Sequence, residues 1–196
     1  MKIIAVTDRK SAGPTFLSRI EAIAGSGVDA IMLREKDMEE EDYAILAELV
    51  DMSCGFHDVD FVVNSFINIA GIRHSKLQLP MDLLRENYGS IMGTEYGASI
   101  HSVEDLREAE NMGVSWVIFG NVFETECKPG KEGAGIDALK EICEVSSVPV
   151  YAIGGIKPNN AKSCMEAGAA GICVMSAYMQ CESPDDLTAK FRLALQ

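Results

Sequence analysis

The sequence has little that would direct the chain to a membrane or to an oxidising compartment. No apolar stretch approaches the ~20 residues that a membrane-spanning helix needs. The apolar run that begins at Met1 is too short for a signal peptide and lacks its small-residue cleavage site. The six cysteines lie singly, without a C-x-x-C pair, which argues against a disulfide framework or a zinc site. We therefore expect a soluble, cytoplasmic protein whose cysteines are reduced.

Basic residues are also scarce. The chain carries 17 Lys and Arg against 30 Asp and Glu, for a net charge of -13. Nucleic acids and anionic membranes are bound through clustered Lys and Arg, so neither is expected as a partner. A phosphate group on a small ligand would have to be held locally, by backbone amides and a few cations. The 196 residues contain no low-complexity segment or linker, which predicts one domain spanning residues 1–196.

Strand-like and helical patterns alternate along the whole chain. Strands are predicted at 2–7, 29–34, 60–64, 76–79, 95–100, 115–122, 148–154 and 170–175. Helices are predicted at 15–25, 39–53, 81–88, 102–112, 136–145, 158–167 and 184–195, with a very short one after Asn64. Eight such units predict a closed (β/α)₈ barrel, the TIM barrel. An open doubly wound sheet is the alternative, but no G-x-G-x-x-G motif follows the first strand.

Polar residues and glycines follow several strands, where the active site of such a barrel forms. Gly154 and Gly155 follow the seventh strand, and Met175 and Ser176 follow the eighth. Glycines there let a phosphate approach the backbone, and the next helix supplies amide donors, so these residues predict a phosphate site. A tight turn with no ligand is the alternative explanation of the glycine pair.

Charged and titratable residues follow other strands. Arg34 and Lys36 lie two apart, which suits a phosphate or diphosphate; the alternative is an ion pair with the acidic run 37–42. Asn64 follows the third strand. His101 ends the fifth strand and has the pKa range of a proton-transfer group, whereas His57 and His74 lie in connections.

The segment after the sixth strand is rich in glycine and contains Thr125 and Lys128. Such a loop could close over a ligand and bring Lys128 to its charge; a mobile surface loop is the alternative.

Together these motifs resemble one known family over nearly the whole chain. They are Leu33-Arg34-Glu35-Lys36, Val63-Asn64, Ser99-Ile100-His101-Ser102, Phe119-Gly120-Asn121-Val122-Phe123-Glu124-Thr125, Lys128, Ala152-Ile153-Gly154-Gly155-Ile156 and Val174-Met175-Ser176. In this order they are similar to the thiamine phosphate synthase and TenI superfamily. The resemblance implies a TIM barrel and one of two activities. The synthase joins hydroxymethylpyrimidine diphosphate to a thiazole phosphate with Mg²⁺, and the TenI-type tautomerase isomerises a carboxythiazole phosphate by proton transfer without a metal.

Two positions separate these activities. The synthase pattern has Asn-Asp after the third strand and a second aspartate in a His-Leu-Gly-Gln-x-Asp stretch. Here the first reads Asn64-Ser65 and the second ends in Leu83, so both Mg²⁺ ligands are missing. Asp82 stands one position earlier and would serve only in a shifted loop.

The resemblance therefore implies the tautomerase, with His101 as the acid/base residue and no cofactor. Gly155, Ser176 and neighbouring amides would hold the phosphate, while Arg34 and Lys128 would balance the carboxylate. Glu124 and Ser102 are candidates for assisting His101 by position alone. The alternatives are the synthase with an altered Mg²⁺ site and a non-catalytic phosphate-binding module. A homo-oligomer formed through the helices is a further possibility that the sequence leaves open.

Overall fold

The computed structural model describes residues 1–91, 93–125, 130 and 132–196. The strands are β1 (Lys2–Val6), β2 (Ala30–Leu33), β3 (Asp60–Asn64), β4 (Lys76–Pro80), β5 (Tyr96–Ile100), β6 (Trp116–Gly120), β7 (Val150–Ile153) and β8 (Gly171–Val174). The helices are α1 (Arg9–Ala12), α2 (Phe16–Gly25), α3 (Glu40–Phe56), α4 (Ile67–Arg73), α5 (Met81–Asn87), α6 (Val103–Asn111), α7 (Gly135–Val145), α8 (Ala161–Glu166), α9 (Ser176–Gln180) and α10 (Pro184–Ala194). A short 3₁₀ helix at Gly13–Thr15 joins α1 to α2.

The eight strands form a closed parallel barrel in chain order. Each strand pairs with the next, and β8 pairs with β1 to close the ring. Helices follow the strands along the chain, as the predicted TIM barrel requires, so that prediction is confirmed. No helix among the described residues combines the length and the apolar character that a membrane crossing demands.

Alternation along the strands divides the buried residues into two clusters. Along β2, Ile31 and Leu33 pack against the helices, whereas Ala30 and Met32 face the barrel interior. The interior cluster comprises Ile4, Val6, Ala30, Met32, Val62, Trp116, Ile118 and Cys173. Residues that continue the inward phase past each strand end therefore lie at the mouth of the barrel.

Trp116 is the largest of these interior side chains. Its indole N–H donates to Gln78 Oε1 at 2.7 Å, and the Gln78 amide donates to Ser99 Oγ at 3.0 Å. A Cβ at Gly97 would stand 2.1 Å from the indole nitrogen, so the glycine makes room for the ring. These residues close the barrel beneath the mouth with a hydrogen-bonded plug.

The element boundaries depart from the predicted ones at a few places. The sequence predicts neither α1 nor α9, because helices of four and five residues are too short to show a periodic pattern. Strand β7 begins at Val150, two residues later than predicted, because Pro149 has no N–H to donate to a ladder.

The described cysteines pack as small apolar residues. Cys54, Cys143, Cys164, Cys173 and Cys181 are all free, and Cys54, Cys164 and Cys173 are buried. Burial raises the pKa of the Cys164 thiol to about 11, which disfavours the nucleophilic thiolate. Cys127 lies outside the described residues.

Candidate active site at the barrel mouth

His101 directly follows β5. Gly97 and Ser99 face the barrel interior, and His101 continues this alternation at the mouth. Its Nδ1 lies 2.5 Å from the carbonyl oxygen of Gly120, the last residue of β6. Because a carbonyl oxygen can only accept, Nδ1 must carry the proton. In the neutral ring, Nε2 is then the unprotonated nitrogen and holds the lone pair. The side chain is exposed, so this lone pair can meet a ligand at the mouth.

The turn after His101 is fixed by the start of α6. Ser102 is the N-cap residue, and its hydroxyl accepts a hydrogen bond from the Asp105 backbone N–H at 3.1 Å. The Asp105 carboxylate in turn accepts from the His101 backbone N–H at 3.0 Å. Ser102 thus caps the helix, its hydroxyl also donates to the Glu104 carboxylate, and Asp105 holds the His101 backbone. Glu124, the other candidate assistant, is exposed.

The two glycines after β7 adopt conformations that favour glycine. Gly154 has φ +102 and Gly155 has φ +64. The loop after β6 packs directly on them: a Cβ at Gly155 would stand 2.3 Å from the Glu124 carbonyl oxygen. The turn is held on its other side by Asn160, whose side chain donates to the Gly155 carbonyl at 3.0 Å. The backbone at Gly154 and Gly155 therefore carries no side chains and is held in place by its neighbours.

Met175 and Ser176 lie beside these glycines at the end of β8. Ile153 of β7 is paired with Cys173 of β8. Gly155 and Met175 each stand two residues after this pair, so they lie next to each other at the mouth. Ser176 begins α9. Among the described residues, the backbone N–H groups of Gly155, Ser176 and Ala177 have no hydrogen-bond acceptor. Unpaired amides on neighbouring strand ends are the donors that a phosphate needs.

Arg34 follows β2 in the inward phase that contains Ala30 and Met32. Its backbone N–H donates to the Thr7 hydroxyl at 2.9 Å, and that hydroxyl donates to Glu35 Oε1 at 2.6 Å. Glu35 is 3% exposed and also accepts from the Arg9 backbone N–H at 3.0 Å. Burial raises the pKa of Glu35, against the opposing effect of the Thr7 and Arg9 hydrogen bonds. This network ties the ends of β1 and β2 together under Arg34.

The alternative ion pair between Arg34 and the acidic run is not formed within the described part of the chain. Asp37 instead pairs with Arg9 at 2.8 Å and with Lys10 at 2.8 Å. These two cations hold the pKa of the Asp37 carboxyl well below its usual range. Arg34 is half-buried, and no described carboxylate lies within ion-pair distance of it. Its charge is therefore available to an anionic ligand.

Lys36 does not share the placement of Arg34. Strand β2 ends at Leu33, and Lys36 lies in a turn with an exposed side chain, so strand alternation does not extend to it. Thr125 is half-buried in the loop after β6. Lys128, predicted to reach the ligand's charge, lies outside the described residues.

Asn64 is buried at the end of β3 and is held by the barrel itself. Its side-chain amide donates to the Gln78 carbonyl at 3.2 Å, and its backbone N–H donates to the Tyr43 hydroxyl at 3.2 Å. That hydroxyl donates to the Leu33 carbonyl at 2.6 Å. Tyr43 on α3 therefore joins the ends of β2 and β3. Sequence analysis did not identify Tyr43, because a tyrosine within a helical pattern does not indicate a bond to a strand end.

The described part of the mouth lacks the two aspartates that hold Mg²⁺ in the synthase pattern. Ser65 follows Asn64, and Leu83 is half-buried against the core. The Asp82 side chain is 90% exposed and pairs with Arg85 at 3.1 Å, on the outside of the barrel. Within the described ranges, no three His, Cys, Asp or Glu side chains converge as a metal site would require. The residues present do not fit the Mg²⁺ site of the synthase pattern, and Asp82 does not replace it.

Comparison with known proteins gives the family. A family model described as thiamine monophosphate synthase (TMP-TENI) matches residues 3–178. A thiamine-phosphate synthase of Coprothermobacter proteolyticus is 34% identical over 195 residues, covering 96% of this chain and 90% of that protein. A putative thiamine-phosphate synthase 2 of Aquifex aeolicus is 31% identical over 186 residues, covering 91% and 98%. The solved thiamine phosphate pyrophosphorylase of Pyrococcus furiosus superposes with a TM-score of 0.85 at 26% identity, covering 99% and 95%.

The names of these relatives bear on the two activities. All three are named for the synthase reaction, which fits the synthase alternative better than the tautomerase that the sequence motifs favour. Names of relatives and residues of the site therefore point to different reactions on the same kind of substrate.

Proposed function

The chain belongs to the thiamine monophosphate synthase and TenI superfamily, whose enzymes act in thiamine biosynthesis, and from this membership we propose that it tautomerises a carboxythiazole phosphate. The observation that carries the proposal is His101. Its Nδ1–H donates to the Gly120 carbonyl, which leaves Nε2 as a base at a mouth where the described residues form no cluster of Mg²⁺ ligands.

The proposed chemistry is one proton removed and one returned. Nε2 of neutral His101 accepts the proton that the thiazole ring loses, and the imidazolium then returns a proton to a different ring position. The Gly120 carbonyl stabilises the transient imidazolium, because Nδ1–H already donates to it. No other reactant is consumed, and because His101 both removes and returns the proton, the proposal assigns no step to a metal or a cofactor.

The rest of the mouth supplies binding. The backbone amides of Gly155, Ser176 and Ala177, which find no acceptor within the described ranges, would hold the phosphate, and such a site suits a protein with few cations. Arg34, with Lys128, would balance the substrate carboxylate. The Thr7 and Glu35 network beneath Arg34 fixes the backbone from which that side chain extends.

The second candidate is the synthase itself, which the names of the relatives favour. It would join hydroxymethylpyrimidine diphosphate to thiazole phosphate and release diphosphate. In this chain it would have to proceed without the two aspartates of the synthase pattern, since Asn64-Ser65 and Leu83 replace them. Lys36 and Arg34 would then contact the diphosphate.

A parallel assay separates the two candidates. Purified protein is given one carboxythiazole phosphate tautomer in EDTA, and separately the two synthase substrates with Mg²⁺; products are followed by NMR and chromatography. Interconversion in EDTA is the expected result. Thiamine phosphate formation that requires Mg²⁺, with no interconversion in EDTA, would replace the proposal by the synthase. Binding without turnover in either assay would identify a non-catalytic module.

A further inference from the structure

The outer face of α3 is apolar, although it points away from the barrel. Ile45, Leu49, Met52 and Phe56 are 64%, 44%, 66% and 82% exposed. Their spacing of four, three and four residues puts them on one line of the helix, which we call the α3 stripe. The opposite face, through Tyr43, Ala47, Val50 and Cys54, is buried against the barrel. A helix that is apolar on both faces is typical of one covered on both sides.

Neighbouring helices do not cover the stripe, because they contact α3 along its two flanks. On one flank, Asn68 of α4 donates to Glu40 and Arg73 donates to Asp51. On the other flank, Glu21 of α2 binds Ser53 and His57. The stripe lies between these contacts and runs for about 17 Å along the helix.

Its size reaches the range of an association surface. Four large apolar side chains at these exposures offer on the order of 400 Å² of apolar surface, as much as the largest patches on soluble monomers, which are commonly interaction sites. Two copies packed through this face, with the polar residues that flank it, would bury roughly 1,200 Å², the lower bound for specific interfaces.

A cleft beside the stripe offers a place for an apolar side chain of a second copy. It has a volume of about 470 Å³ and lies at the N-terminal half of α3. Met38, Ile45, Leu46 and Leu49 form its apolar side, and the charged residues Arg9, Asp37, Glu39 and Asp42 form the rest of its lining. Phe56, the most exposed large side chain of the stripe, lies at the opposite end. An antiparallel pair with its two-fold axis between residues 50 and 51 places Phe56 of one copy against Ile45 and this cleft in the other. Leu49 then meets Met52.

Charge selects the same orientation. In a parallel two-fold pair, Glu41, Glu48 and the other acidic residues of α3 would each face their own copies. In the antiparallel pair, Glu48 faces Ser53, whose hydroxyl donates to Glu21, so fewer carboxylates face each other than in the parallel pair, and Glu41 lies beyond the C-terminal end of the other helix. Because the chain has a net charge of -13, repulsion between facing carboxylates disfavours the parallel pair.

From these observations we infer that the protein is a homodimer in which two α3 stripes pack antiparallel, with Phe56 of each copy seated in the cleft beside Ile45 of the other. The partner is a second copy of this chain, and the surface is independent of the barrel mouth.

Mass measurement tests the dimer. Sedimentation equilibrium of the wild type should give twice the 21.2 kDa chain mass. Phe56→Asp should raise the dissociation constant at least ~30-fold, because it replaces a buried anchor with a charge in the partner's cleft, with the circular dichroism spectrum unchanged. The control is Leu193→Lys on α10, which alters a side chain that is 71% exposed and should leave the dimer intact. A monomeric wild type, or a Phe56→Asp protein that stays fully dimeric, would overturn the inference.

Cross-linking tests the orientation. In the antiparallel pair, the double variant Glu48→Cys with Ser53→Cys should form interchain disulfides under mild oxidation, and neither single variant should. A disulfide in the Glu48→Cys single variant would show the parallel pair and refute the arrangement.

Discussion

Replacing His101 with asparagine should separate its chemistry from its structural role. The asparagine side-chain N–H can take the place of Nδ1–H and donate to the Gly120 carbonyl, which His101 Nδ1 approaches at 2.5 Å. Asparagine has no counterpart of Nε2 and no basic nitrogen. The variant therefore retains the contact that holds the loop and lacks the group that moves the proton.

In His101→Asn, the expected loss of turnover is much larger than the expected loss of folding stability. Removing a general acid/base lowers turnover by about 10²–10⁴, which raises the activation barrier by roughly 3–5 kcal/mol. Because the side chain is exposed, the cost in free energy of unfolding should stay within about 0.5 kcal/mol, which is a shift in Tm of roughly 2 °C or less.

The assay compares kcat for tautomer interconversion in EDTA with Tm for the same preparations. His57→Asn is the matched control: His57 bonds Glu21 at 2.7 Å and lies in the connection after α3, so its replacement should leave kcat unchanged. A His101→Asn protein with wild-type kcat would refute the assignment of the base. Equal losses of kcat in both variants would refute the claim that the effect is local to the mouth.

Three further substitutions test the surrounding structure. Gly155→Ala would put a Cβ 2.3 Å from the Glu124 carbonyl, so calorimetry should show thiazole phosphate binding weakened about tenfold or more; unchanged affinity would contradict the phosphate site. Gln78→Leu leaves the Trp116 indole N–H unpaired at a cost of ~1–3 kcal/mol, which should lower Tm by roughly 2–10 °C. Adding Trp116→Phe should recover part of that loss, and a Tm unaffected by Gln78→Leu would contradict the plug. Glu35→Gln tests pH dependence: since burial raises the pKa of Glu35, its ionisation costs folding free energy as pH rises from the unfolded value of 4.5 towards the raised folded one. The Tm of Glu35→Gln relative to wild type should therefore increase with pH across this window, and a constant difference would contradict the raised pKa.

The barrel was predictable because its signal is repeated. Eight strand-like runs, each followed by a helical pattern, leave few other arrangements. The short helices α1 and α9 escaped prediction because four or five residues carry no period. Their presence at the mouth matters, since α9 begins with Ser176 of the proposed phosphate site.

The positions of His101, Arg34 and Gly155 were predictable from strand ends, whereas their hydrogen-bond partners were not. The bond from His101 to the Gly120 carbonyl depends on the register of β5 with β6, and the role of Tyr43 depends on how α3 packs over β2 and β3. Such contacts join residues 19 or 21 positions apart through tertiary structure. Lys36, two residues beyond Arg34, lies in a turn after the end of β2, and the length of that strand was not predictable to the residue.

The central claim, proton transfer by His101 without a metal, has a direct isotopic test. The exposed imidazole should exchange its proton with solvent during the reaction, so carboxythiazole phosphate turned over in D₂O with EDTA should acquire deuterium on the ring. We expect this incorporation with wild-type protein and its loss with His101→Asn. Ring deuteration that persists in His101→Asn, or turnover that appears only when Mg²⁺ replaces EDTA, would contradict the account.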